Sequence, residues 1–449
     1  MIAVRRVSRD FCRVGGPVGT NWFRSPYRAV SVGQTGRSAD DAAEDPVTRL
    51  RELANSQQVS GPLSHRRQWV PGVVQVVSPG GVIDLAPGYL DPGLLPVDLL
   101  REAYADALAE YGSAALTYGE NQGVLPLREQ LARRAATDAH PCGPEHVLIT
   151  SGTSVGLHLL AGTLGSPGDV VLTESASYDF GRRILTDRGL LPRPVPMDRH
   201  GVDPQALEEA LLAERAAGRR VAFAYLIPTF QNPTGTLMPL DRRREVLAVA
   251  ARHGLPIVED DAYGELPLTD GVEAPPSLAA LADYRDVVRL CSFSKTLAPG
   301  LRLGWLLGDP ALVGGIAHNG LLTSGGGLNH VSSLMVSVLL ADGRFDRHVS
   351  WLRGQLRDRR DALADALAAG PDGGFEFHRP DGGFFLWLRA TGGTAEAAVV
   401  EAATLAGVQV AGGSRFGVSE TAAIRLSYSF NSPDRLAGAG YRLAHALTG

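Results

Sequence analysis

The sequence predicts an α/β fold: a mostly parallel sheet covered by helices on both faces, joined to a smaller α+β domain. Three observations carry the prediction. Short, almost continuously apolar runs recur at 146–150, 169–174, 221–227, 255–260, 287–291 and 301–307, and strands buried on both faces read that way. Between several of them lie amphipathic segments, 204–217 and 241–253, long enough for crossover helices. Beyond 344 the pattern changes to a long amphipathic stretch, 344–368, then strand-like 383–389, helix-like 394–406, strand-like 423–430 and helix-like 433–447.

A chain of 449 residues exceeds what one hydrophobic core usually supports. We expect an N-terminal extension at 1–45, a small domain from 46–95 and 335–449, and a large domain at 96–334. The extension carries Arg5, Arg6, Arg9 and Arg13 among glycines, serines and prolines, with no apolar core of a secretory signal. Residues 46–59 suit a short helix, and 81–89 read as a strand running into a glycine turn. Helices are expected at 99–110 and 126–137, with a break at 116–119. From 146 onward the strand and helix patterns alternate, and the tail carries no internal repeat.

Composition excludes several classes of function. Net charge is −5 with both signs interspersed, so no basic surface is offered to nucleic acid. No apolar stretch approaches the roughly 18 residues of a membrane helix. Cys12, Cys142 and Cys291 show neither metal nor redox spacing, which points to a reducing, cytoplasmic setting and to no metal centre.

The chemistry lies where the apolar runs end. In open parallel sheets ligands bind beyond the carboxyl ends of the strands. Ser151, Gly152 and Thr153 follow the first run, Tyr178 the second, Asn232 the third, Asp260 to Tyr263 the fourth and Lys295 the fifth, so they converge on one rim. The 43 basic residues divide into 42 arginines and Lys295 alone. Arginine stays protonated, whereas a desolvated lysine can lose its proton and attack a carbonyl. Ser292, Ser294 and Arg302 surround it with two hydroxyls and a cationic fork, a set that suits a phosphate. An aldehyde cofactor bearing a phosphate is pyridoxal 5′-phosphate, which needs a lysine and an acid opposite its pyridine nitrogen.

Asp260 closes an apolar run, where a carboxylate needs a cationic partner; Glu259 and Asp261 are then expected to face outward, because strand neighbours alternate. Tyr263 and Asn232 can donate to a phenolate oxygen, and Tyr178 can stack on a ring. The amides of 151–153 can hold a phosphate at a helix start. Singly, these residues read equally well as helix caps, core tyrosines and a turn asparagine before proline. Their joint placement on one rim is what separates the readings.

These stretches resemble the class I/II aminotransferase family of fold-type I pyridoxal-phosphate enzymes. The matching residues are Tyr118-Gly119 with Leu127-Arg128, Ser151-Gly152, 174–178, Gln231-Asn232-Pro233-Thr234-Gly235, Asp260-Asp261-Ala262-Tyr263, 292–305, Gly382-Gly383-Phe384-Phe385 and Ile424-Arg425-Leu426. The resemblance implies that Lys295 forms the Schiff base and shuttles the proton. It implies that Asp260 pairs the pyridine nitrogen, that Asn232 and Tyr263 bond the phenolate oxygen, and that Tyr178 stacks on the ring. Ser292, Ser294, Arg302 and the Gly152 and Thr153 amides would hold the phosphate, with Tyr118 reaching in from the partner subunit of a homodimer. Arg425 would clamp the substrate α-carboxylate, with Gly88 and Asn232 in the same pocket.

The branch it is most similar to includes 2-aminoadipate-type aminotransferases and regulators with a fused aminotransferase-like domain, although 1–80 show no winged helix-turn-helix. Two positions where the motifs carry proline hold Ala176 and Gly412. The expected function is amino-group transfer between an amino acid and a 2-oxo acid, through loss of the α-proton. Elimination, γ-replacement and a cyclising carbon–carbon bond-forming reaction stay open, as does a cofactor-sensing regulator. The loop at 324–333 offers only Asn329 and His330 near the expected pocket mouth, so a neutral or cationic amino acid is expected ahead of a dicarboxylic one.

Overall fold

The computed structural model describes residues 81–371, 373–418 and 422–448; the expected extension at 1–45 and helix at 46–59 lie outside the described residues. Seven strands form the main sheet: β1 (Val147–Thr150), β2 (Val170–Glu174), β3 (Leu191–Val195), β4 (Val221–Leu226), β5 (Ile257–Asp260), β6 (Val287–Ser292) and β7 (Gly304–Leu307). Their order is β1-β7-β6-β5-β4-β2-β3. Neighbours are parallel except β7, which runs antiparallel to both β1 and β6. The sheet is therefore mostly parallel, as expected.

Alternation along the strands supplies two cores. Ile149, Leu172, Ala224 and Ile257 belong to one, while their neighbours Leu148, Val171, Tyr225 and Val258 belong to another. Every residue of β1, β2, β4 and β5 is buried, which explains why the sequence shows unbroken apolar runs rather than alternation. β3, with Pro192 and Pro194, was not visible as such a run. It is the edge strand, where a missing N–H costs least.

Helices α1 (Val97–Tyr111), α2 (Leu125–Ala135), α3 (Gly152–Leu164), α4 (Asp179–Asp187), α5 (Pro204–Ala216) and α6 (Leu240–His253) surround or cross over the sheet. Local chemistry sets their ends. Asp203 accepts from the amides of Gln205 and Ala206, with Pro204 at the first helical position of α5, and Gly254 in the left-handed region closes α6.

A four-stranded antiparallel sheet follows, built from β8 (Phe375–Phe377), β9 (Phe385–Ala390), β10 (Ala411–Gly412) and β11 (Ala423–Ser427) in the order β8-β9-β11-β10. The two-residue strand Ile83–Asp84 pairs in parallel with Val408–Gln409. Helices α7 (His330–Ala341) and α8 (Arg344–Ala368) lead into this part, and α9 (Glu396–Leu405) and α10 (Pro433–Thr448) cover it. At its start α8 places Phe345 and Val349 in a core of the large sheet, and further on it places Leu352, Leu356, Leu363 and Leu367 with the small sheet and α10. One helix of 25 residues, about 37 Å long, ties both cores together.

Candidate active site

The carboxyl ends of β1, β2, β4, β5 and β6 lie on one edge of the sheet, and antiparallel β7 starts there. With the parallel edge strand β3, the topology therefore delivers six strand exits and one strand entry to a single rim. A cavity of about 600 Å3 opens on it, lined by Gly88, Thr153, Tyr178, Asn232, Asp260, Tyr263, Ser292, Ser294, Lys295, Arg302 and Arg425 among others. Of the expected site residues, Ser151 and Gly152 sit just behind the wall, and Tyr118 does not reach it, being 84% exposed elsewhere.

Lys295 follows β6 and is enclosed. Its Nζ donates to Gly88 O at 2.6 Å and lies 5.7 Å from the Tyr263 ring centroid and 5.6 Å from that of Phe384. Burial lowers its pKa to about 8, Arg425 and Arg302 push the same way, and Asp260 opposes them. This is the deprotonation that the sequence argument required of a lone lysine. Uptake of an aldehyde cofactor needs the free amine, whose fraction rises about tenfold between pH 7 and pH 9 for a group of that pKa. The rate of pyridoxal-phosphate incorporation into apoprotein is expected to climb by about that factor. A flat profile in stopped-flow absorbance would show that the pocket does not release the proton.

Asp260 ends β5. Its Oδ2 accepts from the Tyr225 hydroxyl at 2.6 Å, and burial raises its pKa to about 6 against the lowering pull of that bond and of Lys295. A buried carboxylate with only a neutral donor fits a cationic ring nitrogen, which would restore its ordinary acidity. Tyr225, in the middle of the continuous apolar run of β4, was not anticipated. Its only sequence signal is a hydroxyl-bearing residue one position off the parity of Ala224 and Leu226. Behind it, Glu174 at the end of β2 accepts from Gln231 Nε2 and Ile227 N, both at 3.1 Å, and burial raises it to about 7.

Glu259 and Asp261 do point away from the cavity, but the expectation that they face outward is corrected. Both are buried. Glu259 caps the segment Leu278–Leu281 by accepting from the amides of Leu278 and Ala279, each at 3.0 Å, and faces Arg243 at 3.6 Å. Asp261 pairs with Arg289 at 2.5 Å. The far side of a doubly covered sheet is interior, so a carboxylate there needs its own cation.

At the other end of the cavity, Ser292 Oγ accepts from Ser294 N at 3.0 Å, and Arg302 donates to Ser294 Oγ at 3.5 Å and to Ser151 O at 3.3 Å. Gly152 opens α3 with φ +78°, and a Cβ there would stand 2.7 Å from Arg302 Nη2. Only glycine combines that backbone with so close an approach. Hydroxyls, a guanidinium and the amino end of a 13-residue helix thus face one volume, so the donor set fits a phosphate.

Arg425, on β11, is 4% exposed. It donates to Asn232 Oδ1 at 2.8 Å and to Ala86 O at 2.7 Å, and its Nε has no partner among the described residues. Phe385 and Phe416 lie over the guanidinium at 4.1 and 4.6 Å, and burial lowers its pKa to about 10. A desolvated fork with an unused donor calls for an anion. A Cβ at Gly88 would meet Phe385 Cζ at 2.9 Å, so this wall has no room for a side chain.

The residue pattern and geometry agree with one family model, aminotransferase class I and II, which matches residues 81–437. The chain belongs to that family. Among its relatives, aromatic-amino-acid aminotransferase 1 of Thermococcus litoralis is 30% identical over 383 residues, 84% of this chain and 90% of that one. An uncharacterized HTH-type transcriptional regulator of Bacillus subtilis, YisV, is 31% identical over 68% of this chain, but the match spans only 61% of the regulator. In structure, the α-aminoadipate aminotransferase LysN of Thermus thermophilus, complexed with N-(5′-phosphopyridoxyl)-L-leucine, superposes with a TM-score of 0.72 at 33% identity, covering 82% of this chain and 93% of that one. This aminotransferase-family chain has the fold-type I architecture, takes pyridoxal 5′-phosphate and is a pyridoxal-phosphate-dependent aminotransferase. Elimination, γ-replacement and cyclisation are not the activities for which the matched aminotransferases are named.

The loop reading is corrected. Asn329 sits outside the cavity wall, donating to Ser151 Oγ at 3.1 Å and to Arg302 O, and His330 faces Ala114 O at 3.1 Å. Asn329 adopts φ +54° and makes no side-chain cap bond. Both side chains hold backbone together, so neither reads a substrate. Arg415, which the expectation drawn from this loop did not weigh, lines the cavity.

Proposed function

We propose that this chain exchanges the amino group of an amino acid with a 2-oxo acid, in the cytoplasm and as a homodimer, with Lys295, Asp260, Asn232, Tyr263 and Arg425 in the roles named above. The observation that carries this is the joint presence, in one cavity, of a lysine of depressed pKa, a carboxylate lacking a cation and a buried arginine lacking an anion. When bound, the cofactor supplies the carbonyl that takes the amino group and a ring that draws electrons from the α-carbon.

The remaining work belongs to the chain. Arg425 and Asn232 fix the α-carboxylate, so the α-carbon hydrogen faces Lys295. Lys295 Nζ, in its neutral form, would take that proton and deliver it to the carbon that carried the cofactor's carbonyl, two bonds from the α-carbon. Asp260 keeps the ring nitrogen protonated, and the Tyr225 bond keeps Asp260 oriented. Phe384, Phe385, Tyr263 and Tyr178 surround the reacting atoms with ring surface and exclude water.

The homodimer is supported by the exposure of Leu116 (73%), Tyr118 (84%) and Leu321 (56%), apolar or amphipathic surface of the kind a partner subunit covers. For a division into a small domain (46–95 with 335–449) and a large one (96–334), the support among the described residues is the pair of separate cores that α8 bridges, with α7 and the start of α8 packing in the core of the large sheet. No helix among the described residues is long and apolar enough to cross a membrane.

Incubation of holoenzyme with a single amino acid and no acceptor is expected to yield 2-oxo acid in an amount equal to enzyme, with turnover beginning only when a second 2-oxo acid is added. Continuous release of ammonia or of a shortened product, read by coupled assay and mass spectrometry, would contradict transamination.

A further inference from the structure

Lys295 stands in a tight turn, and one carbonyl of that turn is held by a side chain from outside the cavity. The turn closes where Leu297 N donates to Phe293 O at 2.8 Å. Thr296 is 2% exposed, and no backbone N–H among the described residues reaches its carbonyl oxygen. His348 of α8 takes that place, with Nε2 2.9 Å from Thr296 O. A carbonyl only accepts, so Nε2 carries the hydrogen. Burial lowers the imidazole pKa against the raising pull of this bond, so the ring is neutral at pH 7 and donates as a neutral group.

His348 does not act on this turn alone. Phe345, three residues earlier on α8, meets Phe293 edge-on at 5.6 Å, and the ring of Trp351, three residues later, lies 5.6 Å from the imidazole. Positions 345, 348, 352 and 356 fall on one face of the helix. The first two grip the lysine turn. Leu352 and Leu356 enter the core that holds Ile424 and Leu426, the neighbours of Arg425 in β11. One face of one helix therefore holds the backbone of Lys295 at its start and shares a core with the strand of Arg425 further on.

We propose that His348 is a positioning residue: by holding the Thr296 carbonyl it fixes the Lys295 backbone in register with α8, and so keeps Nζ aligned with the α-carbon hydrogen of a substrate clamped by Arg425. This rests on the aminotransferase reading above. Proton transfer demands the alignment, because a misplacement of about 1 Å can cost about 100-fold in rate. Nζ ends a flexible four-carbon stem, so a tilt of the 295–296 peptide is carried to the proton. Without His348 the buried carbonyl has no donor, and the turn shifts to find one. His348 does not line the cavity, so its loss leaves the contacts to cofactor and substrate in place.

Two amides of different reach test this on holoenzyme. The side-chain nitrogen of glutamine can stand where His348 Nε2 stands, whereas that of asparagine stops one bond short, near Nδ1. His348→Asn is expected to lower kcat by about 10- to 100-fold with KM for the amino acid unchanged, and to raise the deuterium isotope effect on α-deuterated substrate. His348→Gln is expected to restore both, and His348→Leu, which fills the site without a donor, to behave as His348→Asn. Amide hydrogen exchange followed by mass spectrometry gives a measure independent of turnover: the peptide 293–302 is expected to lose protection in His348→Asn and to keep it in His348→Gln. Equal kcat in the Asn and Gln variants, a loss carried by KM alone, or equal protection of the peptide in both overturns the proposal. A wild type that yields no oxo acid from any amino acid would instead sink the transamination reading, and the exchange comparison would still decide whether His348 holds the turn.

Discussion

Lys295→Ala should abolish amino transfer, lowering kcat by at least about four decades, because one substitution removes both the covalent anchor of the cofactor and the group that moves the α-proton. Since no second lysine exists in the chain, borohydride reduction of the wild type is expected to label a single peptide, that of 292–302, and the variant none. Lys295→Arg should fail equally, since a guanidinium at this burial keeps its proton. Label at the N-terminal amine, or residual turnover within about tenfold of wild type, would move the covalent site elsewhere.

That lysine was legible in the sequence because its chemistry tolerates no substitute, and the chain uses arginine everywhere else. Asp260 was legible for a related reason: a charge at the end of an apolar strand needs a counter-charge, and parallel topology says where such ends meet. Arg425, in the middle of antiparallel β11, was named only through the family resemblance. Tyr225 was not legible. It lies inside β4, and only the pairing of β4 with β5 brings its hydroxyl to Asp260, 35 residues away.

Arg415 was missed for a larger version of the same reason. Its partner Asp179 lies 236 residues distant, and the turn presenting it is held by Glu396 of α9, which accepts from Ser414 N and Oγ. Asn329 and His330 were misassigned because a polar loop near a pocket looks the same in sequence whether it faces the ligand or ties backbone together. Glu259 and Asp261 followed the strand alternation correctly, but burial on the second face of a sheet is decided by what covers it.

Asp260→Asn separates the two neighbouring carboxylates. The amide keeps the shape and can still meet the Tyr225 hydroxyl, but it cannot hold a protonated ring nitrogen, so the α-proton loses its electron sink. We expect kcat to fall roughly 10^2- to 10^3-fold, the scale of losing one preorganised electrostatic contact in a dry site, and the deuterium isotope effect on α-deuterated substrate to rise as proton removal becomes rate-limiting. Cofactor should remain bound, because Lys295 and the Ser292, Ser294 and Arg302 cradle are untouched. Asp261→Asn should do the opposite. It strands Arg289, whose buried partner it is, and so should lower Tm with kcat near wild type, since its carboxylate faces away from the cavity. Near-normal turnover in Asp260→Asn together with a collapse in Asp261→Asn would reverse the assignment, and would mean that the ring reaches the other face of β5.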